Sequence, residues 1–228
     1  MKVSIFGATG MVGKGVLLEC LDDARVERVL LVSRRPIDVK HPKLREIVHQ
    51  DFFDLAGIQS QFVDLDACFF CLGVSSIGMS ETAYHYLTYD LTLAAATAIA
   101  AVTSGRLTFC YVSGEGTDST ERGRVAWART KGKTENALLR LPFKAAFMFR
   151  PGYIQPLKGI TSKTKWYQTL YDALGPFYPL FRRLLPRYVT TTVNIGRAMI
   201  QVGAGGYSKQ ILHSADINQL AASAESAP

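Results

Sequence analysis

A glycine-rich turn near the start of the sequence has the spacing of a phosphate-binding loop. The apolar run at 2–6 leads into Gly7-Ala8-Thr9-Gly10-Met11-Val12-Gly13, and apolar residues then recur at helical spacing over 11–22. Gly7 permits a tight turn, Gly10 lets the backbone approach a pyrophosphate, and Gly13 lets the helix pack closely on the strand. Free N–H groups and the helix dipole favour phosphate there. We therefore expect a dinucleotide site, against the alternative of a structural turn, formed by Gly7, Thr9, Gly10, Met11, Val12 and Gly13.

The end of the second predicted strand, 29–33, indicates which nucleotide would bind. NAD-binding folds place an acidic residue there to bind the ribose 2′-hydroxyl. This sequence instead has Ser33, Arg34 and Arg35. Because guanidinium groups suit a 2′-phosphate, the pattern favours NADP over NAD. The alternative is a pair of solvated arginines before a loop.

Strand and helix patterns alternate along the first two thirds of the chain. Alternation of this kind predicts a parallel sheet with helices on both faces, a Rossmann-type, doubly wound, three-layer α/β/α fold. Expected strands are 2–6, 29–33, 46–49, 67–72, 107–113 and 143–150; expected helices are 11–22, 80–102, 124–140 and 193–202. We expect one domain, 1–228, with a cofactor-binding core at 1–155, a lid or substrate insertion at 156–190 and a C-terminal helix and tail at 191–228.

These motifs, taken in order, resemble the short-chain dehydrogenase/reductase superfamily. Within it the chain looks most like an atypical, epimerase-like branch that includes the Tat-interacting oxidoreductase. The resemblance covers about residues 1–155 and rests on the glycine turn, Asp51-Phe52, Cys71-Leu72-Gly73, Ser113, Lys131 and Arg150-Pro151-Gly152. It implies that Asp51 and Phe52 contact adenine, although Asp51 could instead cap a helix. It also implies that Cys71, Leu72 and Gly73 line the ribose and pyrophosphate, and that Pro151, Gly152 and Ile154 flank the nicotinamide.

The catalytic pattern that the resemblance implies has a gap. Carbonyl-reducing members of the superfamily use a serine, and a tyrosine and lysine four residues apart on one helix face. Ser113 matches the serine and Lys131 the lysine, with Lys131 also holding the nicotinamide ribose. The tyrosine position holds Trp127, whose indole N–H does not titrate usefully. Another group must supply the proton if the reaction occurs; the candidates are Tyr84, Tyr86, Tyr153 and a water held by Ser113.

Two functions from different classes are therefore chiefly consistent with the sequence, and a third, weaker one is a membrane-peripheral assembly factor that uses the basic segment 156–190. The first is an NADP-dependent oxidoreductase, epimerase-like in family, acting on a small or apolar carbonyl or hydroxyl substrate. The second is a non-catalytic NADPH-binding sensor or scaffold, which the missing tyrosine favours and the retained Ser113 and Lys131 disfavour. Neither the substrate nor the oligomeric state follows from the sequence.

Positive charge is concentrated in one part of the chain. The net charge is +7, and residues 150–209 hold nine basic residues and one acidic residue. Within this part, 156–190 is also rich in aromatic side chains, which is consistent with a substrate lid, a membrane-surface element or ordinary core. We expect no nucleic-acid partner, because no recognition motif is present.

Cysteine and histidine spacing argues against metal or redox chemistry. Cys68 and Cys71 form a CxxC pair inside an apolar run, where positions three apart in a strand point to opposite faces of the sheet. We interpret them as core cysteines.

The sequence also shows neither a signal peptide nor about 18 uninterrupted apolar residues, so we expect a cytoplasmic protein without a spanning helix.

Overall fold

The computed structural model describes residues 1–160, 185 and 187–225, and its centre is a seven-stranded parallel sheet. The strand order is β3-β2-β1-β4-β5-β6-β9. The strands are β1 (Lys2–Phe6), β2 (Arg28–Ser33), β3 (Leu44–Val48), β4 (Ala67–Phe70), β5 (Thr108–Val112), β6 (Ala145–Arg150) and β9 (Ile211–His213). A separate parallel pair joins β7 (Tyr153–Gln155) to β8 (Val189–Thr191). The doubly wound α/β prediction is confirmed.

Helices cover both faces of the sheet. The helices are α1 (Met11–Asp22), α2 (Glu81–His85), α3 (Leu91–Thr103), α4 (Ala126–Leu138), α5 (Thr192–Gly205) and α6 (Ser214–Glu225), and a 3₁₀ helix spans Ala56–Phe62. One apolar cluster joins alternate strand residues to α1, α5 and α6. A second cluster joins the opposite face to α3, α4 and the 3₁₀ helix. Ile5 lies in the first and Phe6 in the second, as the two-residue period of a strand requires.

The two cysteines of the CxxC pair lie on opposite sides of this sheet. Cys68 is buried in the second cluster, whereas Cys71 packs against the first. Burial raises the pKa of the Cys68 thiol to about 12, so the thiol stays protonated. All four cysteines are free, and no group of residues suited to a metal ion occurs in the part of the chain that the structure describes.

Several element boundaries differ from the sequence expectation. The predicted helix over 80–102 is interrupted by a π-helical turn at Tyr86–Asp90, which joins α2 to α3. Strands β7, β8 and β9 have three residues each, too few to show a clear period in the sequence. The stretch expected as a C-terminal helix and tail also contains β9 and α6.

The helical stretch from Glu81 to Thr103, its π-helical turn included, is long and apolar enough to cross a membrane by length and composition alone. The sequence predicts this helix over 80–102 and predicts no membrane-spanning segment. In the structure Ala95, Ala96 and Ile99 are fully buried against the sheet. Because a core helix of a globular domain passes the same test, the feature is weak evidence for a membrane span.

Candidate functional site

The glycine turn is closed tightly enough that two of its glycines have no room for a side chain. Gly7 has φ +84°, and a Cβ on it would lie 2.7 Å from the carbonyl carbon of Cys71. A Cβ on Gly13 would lie 2.3 Å from the carbonyl oxygen of Gly7. No side chain caps the start of α1, which follows Gly10. The first turn of α1 thus presents uncapped N–H groups, with Thr9 exposed and Met11 and Val12 half-buried beside them.

Two adjoining cavities open beside this turn. They have volumes of about 520 Å³ and about 350 Å³ and share part of their lining. The shared residues are Arg34, Gln50, Phe52 and Leu72. The larger cavity adds Gly7, Ala8, Thr9, Val32, Ser33, Arg35 and Pro36, and the smaller adds Asp51, Phe53, Gly73, Val74, Leu87 and Leu91. Together they form a cleft that runs along the carboxyl ends of β1, β2 and β4, where open α/β sheets bind ligands.

The arginines after β2 carry unpaired positive charge into this cleft. Arg34 and Arg35 are exposed, and neither guanidinium has a carboxylate or hydrogen-bond partner among the described residues. A carboxylate does lie nearby, on Glu46 of β3, a neighbour that the sequence analysis did not identify. It is 2.9 Å from the Ser33 hydroxyl and accepts a 3.0 Å hydrogen bond from the Ile37 amide. The carboxylate of Glu46 is thus engaged by Ser33 and Ile37; within the described residues it forms no ion pair with either arginine, and it does not line the cleft.

The adenine-side residues of the prediction lie together at the far end of the cleft. Phe52 is buried, with its ring edge-on to Phe6 at 5.7 Å, and lines both cavities. Asp51 is exposed, and its carboxylate accepts the Phe53 amide at 2.8 Å. The following 3₁₀ helix has no side-chain cap at its N-cap residue Leu55, and the carboxylate of Asp54 accepts the amide of its first residue, Ala56. Asp51 therefore keeps one carboxylate oxygen for other partners.

Ser113 follows β5, and its hydroxyl is engaged inside the protein. It donates to the carboxylate of Glu135 at 2.5 Å and lies 3.1 Å from the Phe149 carbonyl oxygen. Glu135 is fully buried on α4 and also binds the guanidinium of Arg150, at the end of β6, through Nε and Nη2. A hydroxyl has one proton, so Ser113 can offer only lone pairs to a ligand while this arrangement lasts.

Lys131 lies one helical turn before Glu135, at the carboxyl end of β5. Its ammonium donates to the Val112 carbonyl oxygen at 3.2 Å and lies 5.4 Å from the centre of the Tyr111 ring. No carboxylate in the described ranges lies within ion-pair distance of it. Burial lowers the pKa of Lys131 from 10.5 to about 8, against a smaller opposite effect of Glu135. The lysine is a partly buried base with an unusual proton affinity and not a solvated surface cation.

Trp127 lies on the same helix, one turn before Lys131. Its ring packs beside Gly116, where an added Cβ would lie 3.4 Å from the indole. The indole N–H has no hydrogen-bond partner in the described part of the chain. The structure thus places an apolar ring where the resemblance implies an ionisable phenol.

The three alternative tyrosines occupy different environments. Tyr84 is buried in α2, and Tyr86 is exposed and stacks on Phe53 with ring centres 4.5 Å apart. Tyr153 donates its hydroxyl proton to Gln155 at 2.8 Å. None of the three lies on α4, so none reproduces the spacing of a phenol one turn before Lys131.

The residues expected near the nicotinamide lie where β6 passes into β7. The Pro151 carbonyl oxygen accepts the Glu115 amide at 2.9 Å, and the Gly152 amide donates to the Ser214 hydroxyl at 3.0 Å. Ile154, in β7, packs against the first apolar cluster. The predicted lid at 156–190 falls largely on residues outside the described ranges; of its basic residues, Lys158 pairs with Glu19 and Asp22 at 2.6 and 2.7 Å.

No family model matches the chain, but curated relatives do. It is 30% identical over 163 residues to the mitochondrial protein fmp52 of Emericella nidulans, covering 67% of this chain and 66% of that protein. It is 27% identical over 172 residues to mitochondrial FMP52 of Debaryomyces hansenii, covering 73% and 75%. The chain thus spans just under two thirds of the length of the first of these relatives. Their mitochondrial location overturns the cytoplasmic location that we expected from the sequence.

Solved structures confirm the fold. The chain matches Bordetella bronchiseptica WbmH in complex with NAD⁺ with a TM-score of 0.64 and 16% identity, covering 93% of this chain and 75% of that one. It matches UDP-glucuronic acid 4-epimerase of Bacillus cereus, in complex with UDP-glucuronic acid and NAD, with a TM-score of 0.62 and 13% identity, covering 93% and 75%. It matches a short-chain dehydrogenase/reductase superfamily protein of Agrobacterium tumefaciens with bound NAD with a TM-score of 0.64 and 12% identity, covering 92% of this chain and 76% of that one. These likenesses show that the chain has a Rossmann-type α/β fold.

Proposed function

We propose that the protein binds NADP(H) and is an oxidoreductase of the atypical, epimerase-like short-chain type. One observation carries the proposal: the cleft beside the glycine turn ends at Arg34 and Arg35, whose guanidinium groups have no protein partner within the described residues. Two unpaired cations at the end of β2 suit the 2′-phosphate that distinguishes NADP from NAD. The solved neighbours named above hold NAD, so the proposed preference for NADP is supported by these two arginines and not by the neighbours.

The described residues fit a dinucleotide along the whole cleft. Gly7 and Gly13 leave a backbone surface without side chains, and the uncapped start of α1 would hold the pyrophosphate. Asp51 and Phe52 would contact the adenine. Leu72 and Gly73, which line the cavities, and the preceding Cys71 would lie along the ribose and pyrophosphate. Outside the two cavities, Pro151, Gly152 and Ile154 would flank the nicotinamide.

The reaction that this site supports is transfer of a hydride to or from a small or apolar substrate. The nicotinamide, when bound, supplies or accepts that hydride. Lys131 would hold the adjoining ribose hydroxyls, since its ammonium makes a single hydrogen bond within the described protein. Ser113 would accept a hydrogen bond from the substrate and not donate one, because its own O–H donates to Glu135. An alcohol group therefore suits Ser113 better than a carbonyl oxygen.

A second candidate function is a sensor that binds NADPH without turnover. Trp127 and the engaged hydroxyl of Ser113 favour it, because both remove a proton donor that superfamily reductases use. The partly buried Lys131 argues for chemistry instead, since surroundings that alter proton affinity are concentrated at functional sites.

Calorimetric titration with NADPH and with NADH tests the proposed cofactor. We expect NADPH to bind at least about tenfold more tightly, a difference of about 1.4 kcal/mol. Equal or tighter binding of NADH would contradict the NADP assignment, and absence of binding by either would contradict the nucleotide site altogether. Turnover, measured in a panel of alcohols and carbonyl compounds, then separates the enzyme from the sensor.

A further inference from the structure

The usual tyrosine position of the site holds Trp127, so another group must donate the proton in the proposed reaction. An indole cannot exchange a proton near neutral pH. The hydroxyl of Ser113 donates its hydrogen bond to Glu135, and the hydroxyl of Tyr153 donates its hydrogen bond to Gln155. Tyr86 is exposed on α2–α3 and stacks on Phe53. Each of these groups is engaged elsewhere or lies off the helix face that carries the catalytic spacing.

Two more tyrosines lie close to this helix but are buried. Tyr111 is fully buried on β5, and burial raises the pKa of its hydroxyl well above the usual range, with smaller contributions from Tyr84 and Glu135. Tyr84 is itself only 4% exposed. Neither phenol is placed to exchange a proton with a ligand at the edge of the sheet.

Lys131 has the properties that these groups lack. It lies on the same face of α4 as Trp127, four residues later, so its side chain leaves the helix one turn from the missing phenol. Its ammonium has three N–H donors and uses one of them on the Val112 carbonyl oxygen. That carbonyl belongs to the last residue of β5, so the ammonium lies at the edge of the sheet where ligands bind.

The charged groups around Lys131 leave its proton exchangeable. On its own helix, Glu135 is one turn away, but its carboxylate is bound by Arg150 from β6 and by Ser113. On β5, the nearest group is the neutral ring of Tyr111. Without a carboxylate partner, the partly buried ammonium releases its proton far more readily than a solvated lysine does.

We propose that Lys131 is itself the proton-exchanging catalytic residue, in place of the tyrosine that position 127 lacks. This inference rests on the proposed function. In the direction of reduction, as the carbonyl carbon gains the hydride that NADPH supplies, an N–H bond of Lys131 breaks and an O–H bond forms on the substrate oxygen. The lysine is left as a neutral amine and then takes a proton from water. In the direction of oxidation the neutral amine accepts the proton of the alcohol.

Proton uptake on binding NADPH tests this role without turnover. With a pKa of about 8, Lys131 is half-protonated at pH 8, and the negative charges of the bound nucleotide favour the protonated form. We expect calorimetry in buffers of different ionisation enthalpy to show uptake of up to about half a proton at pH 8. Lys131→Arg, whose side chain stays charged, should still bind NADPH but lose this uptake. Lys133→Arg, two positions along the helix, is the matched control and should retain it.

The possible outcomes distinguish failure of the role of Lys131 from failure of the proposed function. If NADPH does not bind the wild-type protein, the proposed function fails; if it binds and Lys131→Arg takes up as many protons as wild type, only the role of Lys131 fails. Should Lys131→Arg prevent binding, amine labelling of the wild-type protein decides the question. We expect the labelling of Lys131 to rise with a midpoint near pH 8 and to fall when NADPH is added, while Lys133 is unaffected. Labelling of Lys131 that follows that of solvated lysines would overturn the inference.

Discussion

The hydroxyl of Ser113 donates a 2.5 Å hydrogen bond to Glu135, a carboxylate with no exposed surface. Through Glu135 the serine is linked to Arg150, so the ends of β5 and β6 are fastened to the middle of α4. The same helix carries Trp127 and Lys131. The buried ion pair therefore fixes how far these two side chains lie from the carboxyl edge of the sheet.

Removing the charge of Glu135 should destabilise the protein strongly. In Glu135→Gln, the buried Arg150 loses its carboxylate, a change that costs about 3–5 kcal/mol when one partner of a buried pair is removed. Ser113→Ala should cost less, about 1–3 kcal/mol, because the ion pair survives. Urea unfolding measures both, with Glu81→Gln as the control, since Glu81 pairs with Arg129 on the surface. Equal losses in Glu135→Gln and Glu81→Gln would show that the buried pair is not important for stability.

Arg34 should carry most of the preference for NADPH. Arg34→Ala is expected to weaken NADPH binding about tenfold, while NADH affinity remains nearly unchanged, because only NADPH has the 2′-phosphate. Arg45→Ala is the control: it removes the same charge from the neighbouring strand β3, where the side chain lies outside the cleft. If both substitutions reduce NADPH affinity equally, the effect is one of general charge and not of a phosphate site.

Gly13 should not tolerate even the smallest side chain. In Gly13→Ala, the added Cβ would lie 2.3 Å from the Gly7 oxygen, so the turn and α1 must separate. Overpacking of this kind costs about 1–3 kcal/mol and should also weaken NADPH binding. Gly57→Ala is the matched control, because a Cβ there meets nothing within 4 Å. Thermal unfolding measures the loss of stability, and nucleotide titration measures the loss of NADPH affinity. Equal results for Gly13→Ala and Gly57→Ala would contradict tight packing at Gly13.

Restoring a phenol at position 127 should raise carbonyl reduction. Trp127→Tyr places a phenol four residues before Lys131, and general acid catalysis contributes about 10²–10⁴-fold. We expect slow reduction of generic carbonyl compounds by the wild-type protein and faster reduction by the variant, followed as loss of NADPH absorbance. Trp127→Phe is the control for loss of the indole. Reduction by wild type that survives the double substitution Ser113→Ala, Lys131→Met would place the site elsewhere.

Lys131 should make stability depend on pH in the alkaline range. Its pKa is about 8 in the folded protein and about 10.5 when unfolded, so between these values the unfolded chain binds more protons. Stability from this group therefore rises as pH increases from about 8 to 10.5, by up to about 3 kcal/mol. Lys131→Met should be more stable than wild type at pH 7 and lose this advantage by pH 10.5. Lys133→Met serves as control, and a parallel gain in it would refute the assignment.

Much of the fold could be predicted because its central strands are continuous apolar runs. Strands β1, β4 and β5 are buried on both faces, so their sequences show the runs typical of parallel sheets, and glycines mark the first turn. Strand β9 could not be identified, since three residues with mixed burial carry no period.

The positions of the candidate cofactor residues were easier to predict than the contacts that hold them. The glycine turn and Arg34 carry local signals, and the structure brings them to one cleft. Glu135 and Arg150 were missed as partners because a helix residue and a strand residue fifteen positions apart have no characteristic spacing. Glu46 was missed for the same reason: it reaches Ser33 only through the pairing of β2 with β3.

The position of β9 in the sheet has a consequence for how the protein folds. Its partner β6 ends at Arg150, but β9 begins only at Ile211, so their pairing closes a long loop. Closing this loop lowers the entropy of the chain, and no local contacts offset that loss. This edge of the sheet should therefore form late. Until then the outer edge of β6 exposes unpaired backbone groups to other chains. A partly folded chain in which β9 has not yet paired is thus open to aggregation at β6, the strand that ends in Arg150 beside the proposed nicotinamide site.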